Sequence, residues 1–200
     1  MKQMSQTNQT MRFLQQENAR LQMENKELLE ELHQLRDYLS AVTGLETAAE
    51  HLASEQELFP LLEKILYFAL TLLDSSDGSI FLLDEEADEL VFAIVRGAIE
   101  SQLVNYRMPK TEGLTGWAVV NGQSVIVNDV RQDWRFSPTT DERFGFETRN
   151  MLIVPMKVGR EVIGAIDVLN KHGGADFTEI DRDLLAILAR TAAFALSQFA

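Results

Sequence analysis

The chain has no cysteine among its 200 residues. That excludes disulfides, thiol catalysis and cysteine-ligated zinc, and it fits a reducing cytoplasm. Positive charge is scarce as well: 18 Lys and Arg stand against 31 Asp and Glu, for a formal net charge of -13. A chain this acidic is poorly suited to neutralise nucleic-acid phosphates or to sit on an anionic membrane surface. No run approaches the roughly 18 consecutive apolar residues of a membrane span, and the polar, Gln-rich N-terminus has no signal-peptide pattern. Gly-x-Ser-x-Gly, Walker and His-Glu-x-x-His motifs are missing too. What is present, 46% hydrophobic residues, suffices for one good core with residues left over. The expectation is a soluble, cytoplasmic, non-enzymatic protein without a metal site and without a nucleic-acid or membrane partner.

Residues 1–44 are a sequence of their own kind. Leu14, Leu21, Leu28, Leu35 and Val42 fall on one heptad register, d, and Met4, Met11, Asn18, Asn25, Leu32 and Leu39 on a. Leucine at d with asparagine at a predicts a parallel two-stranded coiled coil, because two asparagines bond across a dimer seam and are stranded in other registers. Glu17, Glu24 and Glu31 hold g positions, and Arg36 at e is placed to pair with Glu31 of the partner chain. A single amphipathic helix on its own domain is the alternative; the homodimer is preferred, because the seam runs over several heptads without a turn. His33 falls at b, facing solvent.

A second domain is expected over residues 45–200. Gly44 loosens the helix, Leu45–Ala53 can resume it, and Ser54 to Glu57 has capping-box spacing. Leu58, Leu61, Leu62, Ile65, Leu66, Ala69, Leu72 and Leu73 then recur at helical spacing. Pro60 requires either a later helix start or a kink. Ser79–Asp84 and Glu89–Arg96 read as strands around an acidic turn, Glu85-Glu86-Ala87-Asp88, whose spacing fits no calcium loop. Ala98–Val104 is helix or loop. Gly113 and Gly116 bracket the start of a short helix whose free N–H groups are able to receive an anion; an ordinary capped helix is the preferred reading of those residues alone. Ser124–Val127 reads as a strand. Asp129–Arg149 is long, polar and irregular, with Trp134, Phe136, Phe144 and Phe146 spaced through it, the composition of a lid or binding segment.

Asn150–Val158 and Glu161–Asn170 flank a Gly159-Arg160 turn and predict a β-hairpin. Pro155 belongs at a sheet edge or a bulge. Asp167, isolated among Val162, Ile163, Ile166 and Val168, either faces water or sits in a polar pocket, and solvent-facing alternation is preferred. A final helix starting at Asp176, with capping-box spacing to Glu179, is apolar on two sides. It needs two packing partners and suits a helix that transmits motion onward in a longer protein.

From Leu58 to Phe199 this order of elements resembles a GAF domain, the small-molecule sensory module of phosphodiesterases, cyclases, histidine kinases and bacterial transcription activators. Asn170, Lys171, Phe177 and Asp181 match the family's Asn-Lys…Phe-x-x-x-Asp-Glu signature, with Arg182 in place of the glutamate. Glu112-Gly113-Leu114-Thr115-Gly116-Trp117, Asn128-Asp129-Val130 and Thr148-Arg149-Asn150 support it. The resemblance implies an α+β, PAS-like fold: an antiparallel sheet flanked by helices, here preceded by the coiled-coil helix. It also implies a structural salt bridge between Lys171 and Asp181. The motifs are most similar to the cyclic-nucleotide-binding GAF domains of phosphodiesterases. On that likeness the ligand-binding residues are Ser79, Leu114, Thr115, Asp141, Phe144, Thr148 and Asp167, and the ligand is a cyclic nucleotide, cAMP or cGMP. This chain departs from the pattern at Val95 and Arg96, where an aromatic and an aspartate are usual. It departs again at Ser137 and Phe144, in place of a tyrosine and a threonine; Phe136 or Phe144 is left to supply a stacking face. The cysteine needed by a methionine-sulfoxide-reducing or bilin-binding relative is absent, and His51 and His172 are not placed as haem ligands. Two functions follow: a dimeric bacterial signal-transduction sensor for a small-molecule effector, acting on a downstream domain or protein, or a ligand-free interaction module of a larger signalling protein.

Overall fold

The computed structural model describes residues 2–51 and 54–199. The chain divides into two compact units, residues 1–43 and 44–200. The described residues of the first unit are all helical, as part of α1 (Lys2–Glu50). Leu14, Leu21, Leu28 and Leu35 of the d row, and Leu32 and Leu39 of the a row, are exposed. Apolar side chains at heptad spacing do not lie bare in water without cost, and helical propensity alone sustains a helix only weakly. The side chains of Met4, Met11 and Glu31 lie outside the described residues, as do Leu52 and Ala53 at the end of the stretch expected to resume as helix. Gly44 lies inside α1 rather than at a break.

The second unit is a six-stranded antiparallel sheet between helices. Its elements after α1 are helix α2 (Glu55–Leu72), strands β1 (Asp77–Asp84) and β2 (Glu89–Arg96), a single turn α3 (Glu100–Leu103), β3 (Arg107–Pro109) and helix α4 (Gly113–Asn121). There follow β4 (Val125–Val127), a 3-10 turn (Val130–Gln132), α5 (Thr139–Phe144), the hairpin β5 (Met151–Val158) and β6 (Glu161–Leu169), and helix α6 (Glu179–Ser197). The strand order is β3-β2-β1-β6-β5-β4, which puts β1 and β6 at the centre.

Side chains alternate across a strand, and the sheet uses both faces. Phe81, Phe92, Ile153 and Ala165 join Leu114, Ala118 and Val119 of α4 in one apolar cluster. Ile80, Leu152 and Ile166, of the opposite parity, are left for α2 and α6, which pack on each other and on β1, β2 and β5. The apolar stripe of α2 is buried at Leu58, Leu61, Leu62, Ile65, Leu66, Ala69 and Leu73. Each leucine or isoleucine among them contributes about 1.5–3 kcal/mol when fully removed from water. Gly164 admits the close packing at the centre, since a Cβ there would lie 2.0 Å from the carbonyl oxygen of Phe81.

Several local expectations shift. α2 begins at Glu55 with Pro60 inside it, so the helix forgoes one backbone bond at that ring. Ser54 is its N-cap, but the side chain makes no capping bond; its carbonyl accepts from the Glu57 N–H at 3.0 Å instead. Pro155 lies beyond the residues of β5 that pair with β4, where its missing N–H costs the sheet nothing. The last helix is capped by Thr178, not Asp176. Thr178 Oγ1 accepts from Asp181 N–H, and Asp181 Oδ2 accepts from Thr178 N–H at 2.7 Å. Both 176/179 and 178/181 have the right spacing; Asp181 prevails because Lys171 Nζ donates to the same carboxylate at 2.6 Å.

Candidate ligand-binding site

On the α4 side of the sheet a cavity of about 90 Å³ opens between β1, β2, β6, the start of α4 and the 129–149 segment. Each wall has a sequence reason. Gly116 lets the chain before α4 fold tightly against the helix, because a Cβ there would lie 2.6 Å from the Thr111 carbonyl carbon. Gly113 takes a positive φ of 65° that side chains disfavour. The turn so formed brings Leu114 and Thr115 to the cavity.

The 129–149 segment crosses the opening and is more ordered than its composition predicted. Asp129 accepts the Arg131 N–H at 3.1 Å and starts the 3-10 turn. Pro138 and the acids Asp141 and Glu142 start α5, where negative charge suits the first turn. The buried Asp141 carboxylate then closes the far end, accepting from Thr148 N–H at 2.9 Å and Thr148 Oγ1 at 2.7 Å, with Arg131 Nη2 at 3.5 Å. Ser137 Oγ donates to Glu112 Oε1 at 3.0 Å, tying the segment to the start of α4. The Val130 N–H donates to the Arg149 carbonyl at 3.0 Å, so the two ends of the segment meet.

Beneath it three asparagines do the joining. Asn170 Oδ1 accepts from Arg149 N–H at 2.8 Å while its Nδ2 donates to the Glu147 carbonyl at 2.9 Å. Asn150 bridges Lys171 N–H and the Ala175 carbonyl. Asn128 accepts from Phe177 N–H at 2.8 Å and donates to its carbonyl at 3.1 Å. With the Lys171–Asp181 ion pair, these amides make the Asn-Lys…Phe…Asp motif a framework outside the cavity.

Of the seven residues expected at the site, Ser79, Leu114, Thr115, Asp141, Thr148 and Asp167 line the cavity. Phe144 does not; its ring stands edge-on to Tyr106 at 5.1 Å, with Arg143 over both rings. Phe136 and Phe146 line the cavity instead. Asp141 and Thr148 use their polar groups largely on each other.

Asp167 departs most from its preferred reading. It is 2% exposed, not solvent-facing, because β6 is a central strand with an element on both faces. Burial pushes its carboxyl up to about 7, against the opposing hydrogen bonds of its β1 neighbour Ser79. Its Oδ1 has no hydrogen-bond partner.

Asp77, Arg96 and Glu112 also line the cavity and were not singled out as contacts. Arg96 ends β2 and is held by Glu100 Oε1 at 2.8 Å and Glu63 Oε2 at 3.3 Å. No lining residue is His, Lys or Cys. Among the described residues no cluster of acids and histidines is arranged to hold a metal, and no helix is long and apolar enough to cross a membrane.

Residues 56–197 match the family model described as GAF domain. The chain is 29% identical over 135 residues to a probable 3′,5′-cyclic phosphodiesterase of Caenorhabditis elegans, a match covering 63% of this chain and 18% of that protein. It is 26% identical over 156 residues to a dual 3′,5′-cyclic-AMP and -GMP phosphodiesterase of Takifugu rubripes, covering 73% of this chain and 17% of that protein. The chain thus spans under a fifth of the length of these curated relatives. Among solved structures, the GAF domain of a phosphoenolpyruvate-protein phosphotransferase from Coxiella burnetii superimposes with a TM-score of 0.70 at 18% identity, over 80% of this chain and 93% of that one. A free methionine-R-sulfoxide reductase from Neisseria meningitidis gives 0.65 at 23% identity, over 82% and 92%. At such identities the two structures share the fold.

Proposed function

This chain belongs to the GAF-domain family, and on that premise we propose that it is a sensory module whose cavity takes a cyclic nucleotide, cAMP or cGMP, as effector. The carrying observation is the cavity's deep polar end. Asp167 is buried with one oxygen unclaimed by the protein, and the start of α4 and a latched lid stand around the same space. A buried acceptor without a partner is costly to maintain, and a ligand donor at Asp167 removes that cost. The names of the phosphodiesterase relatives supply the ligand class.

The cavity of about 90 Å³ is below the several hundred that ligand pockets usually provide. Binding therefore requires the 129–149 lid to move outward. A ligand that prefers the opened arrangement shifts the population toward it, which is how occupancy becomes a signal. The recipient is the helical first unit, which we propose forms a parallel homodimeric coiled coil through its exposed heptad leucines. A downstream domain or protein partner would read the change. We assign the cavity no catalytic step.

Isothermal calorimetry with cAMP and cGMP tests this reading, beside an Asp167→Ala variant that should bind more weakly. No heat from either nucleotide discards the ligand class. The second reading is a ligand-free interaction module, favoured by the small cavity and the rings of Phe81, Phe92, Phe136 and Phe146 along it. Trp134 on the lid is 87% exposed and Trp117 lies in α4. Their fluorescence should change on adding a ligand in the first case and stay constant in the second.

A further inference from the structure

Asp167 stands opposite Ser79 of β1 and Ile153 of β5, at the middle of the sheet. Its Oδ1 is without a partner and the residue lines the cavity. The charged groups lining that space are Asp77 from β1, Arg96 from β2, Glu112 at the N-cap of α4 and Asp141 from α5. From β5 only Met151 lines it. Arg96, the one cation, is engaged by Glu100 and Glu63. Asp141 is held by Thr148, and Glu112 accepts from Ser137. Asp167 therefore has acids for charged neighbours and no free cation among the lining residues. Ser79 favours its ionised form, while burial pushes the carboxyl up to about 7. Both protonation states are accessible in water near neutrality.

Resting on the cyclic-nucleotide reading, we infer that Asp167 reads the hydrogen-bonding edge of the purine, and that its proton decides which purine fits. An ionised carboxylate only accepts, and its two oxygens match the paired donors N1–H and N2–H of guanine. A neutral carboxyl offers one donor and one acceptor, which match N1 and the N6 amino group of adenine. Guanine presented by its N1–H and N2–H donors therefore favours the ionised Asp167, with a proton released where it was protonated. Adenine binding leaves it neutral, taking a proton up where it was ionised. The rings of Phe81 and Phe92, 4.3 Å apart at their centroids and both on the cavity wall, supply an apolar surface for the base. The site is a discriminator set by pH rather than a fixed selector.

The test is calorimetric titration of the full chain with cAMP and with cGMP at pH 6 and pH 8, each in two buffers of different ionisation enthalpy. If each purine requires one protonation state, the cGMP-to-cAMP affinity ratio rises about a hundredfold across those two pH units, wherever the carboxyl titrates. The buffer pairs should show proton uptake with cAMP and release with cGMP. An Asp167→Asn variant, fixed as one donor and one acceptor, should keep cAMP and lose the pH dependence. Binding with a ratio constant in pH, or without proton exchange, overturns the inference and leaves the sensor reading standing. Failure of both nucleotides at both pH values overturns that reading and the inference with it. The wild-type proton counts decide the matter even where the variant does not fold.

Discussion

Replacing Asp167 by asparagine should remove a specific pH dependence from the stability of the second unit. The folded carboxyl holds its proton up to about 7, against an ordinary value of 3.8. Between those values the folded state binds more protons than the unfolded chain. The contribution is thus fully present below about pH 4 and is lost as pH rises through about 7. At 1.36 kcal/mol per pH unit the full loss is ~4 kcal/mol, more than half of it between pH 5 and pH 8. Other groups titrate in both proteins, so the informative quantity is the difference between wild type and Asp167→Asn. Urea unfolding at fixed protein concentration, followed by circular dichroism at pH 5, 6, 7 and 8, provides it. The variant should gain on the wild type from pH 5 to pH 7 and level off by pH 8. Parallel stability profiles would refute the reasoning, since they require a carboxyl that is either solvated or neutralised by a cation, and the burial and lining of Asp167 would then be misread.

Asp181→Ala removes the acceptor for Lys171 Nζ, Thr178 N–H and Thr178 Oγ1 together, and should cost about 2–5 kcal/mol in urea unfolding. Lys171→Met should cost less, because Thr178 still satisfies the acid. Thr148→Val removes one of the two donors Thr148 gives Asp141, worth about 1–3 kcal/mol of local stability. Amide exchange over residues 139–148 should then accelerate roughly 5- to 150-fold, and unchanged exchange would show that this pair does not hold the lid. Leu21→Asp with Leu28→Asp should convert a dimer to a monomer in light scattering, and a dimer that survives both places the seam elsewhere.

The elements with strong local signals were legible from the sequence. The Gly159-Arg160 turn fixed the β5–β6 hairpin, and the stripe from Leu58 to Leu73 fixed α2 and its buried face. β3 was missed because three residues carry no period; it exists only as the partner of Glu89–Val91. Asp167 was misread on its own terms because alternation says which side of a strand a residue takes, not whether that side is wet. The answer depends on α4 and the lid, distant in the chain. Phe144 was placed in the site by likeness, but Tyr106 and Arg143 claim its ring. Arg96 was noticed only as a departure, since nothing near it in sequence says that β2 ends beside the cavity.

The lid's two ends meet at the bond from Val130 to Arg149, and Asn128, two positions before it, grips Phe177 immediately ahead of the cap of α6. A flap hung from one point swings; it does not stretch, and its pivot bears whatever torque the swing produces. Here the pivot is bolted to Phe177, the residue just ahead of the cap of the final helix. On the lid opening proposed above, the swing would first reach the front of α6, through two amide contacts without net charge. A lever of that kind should keep its stroke in high salt, where a linkage of ion pairs would go slack.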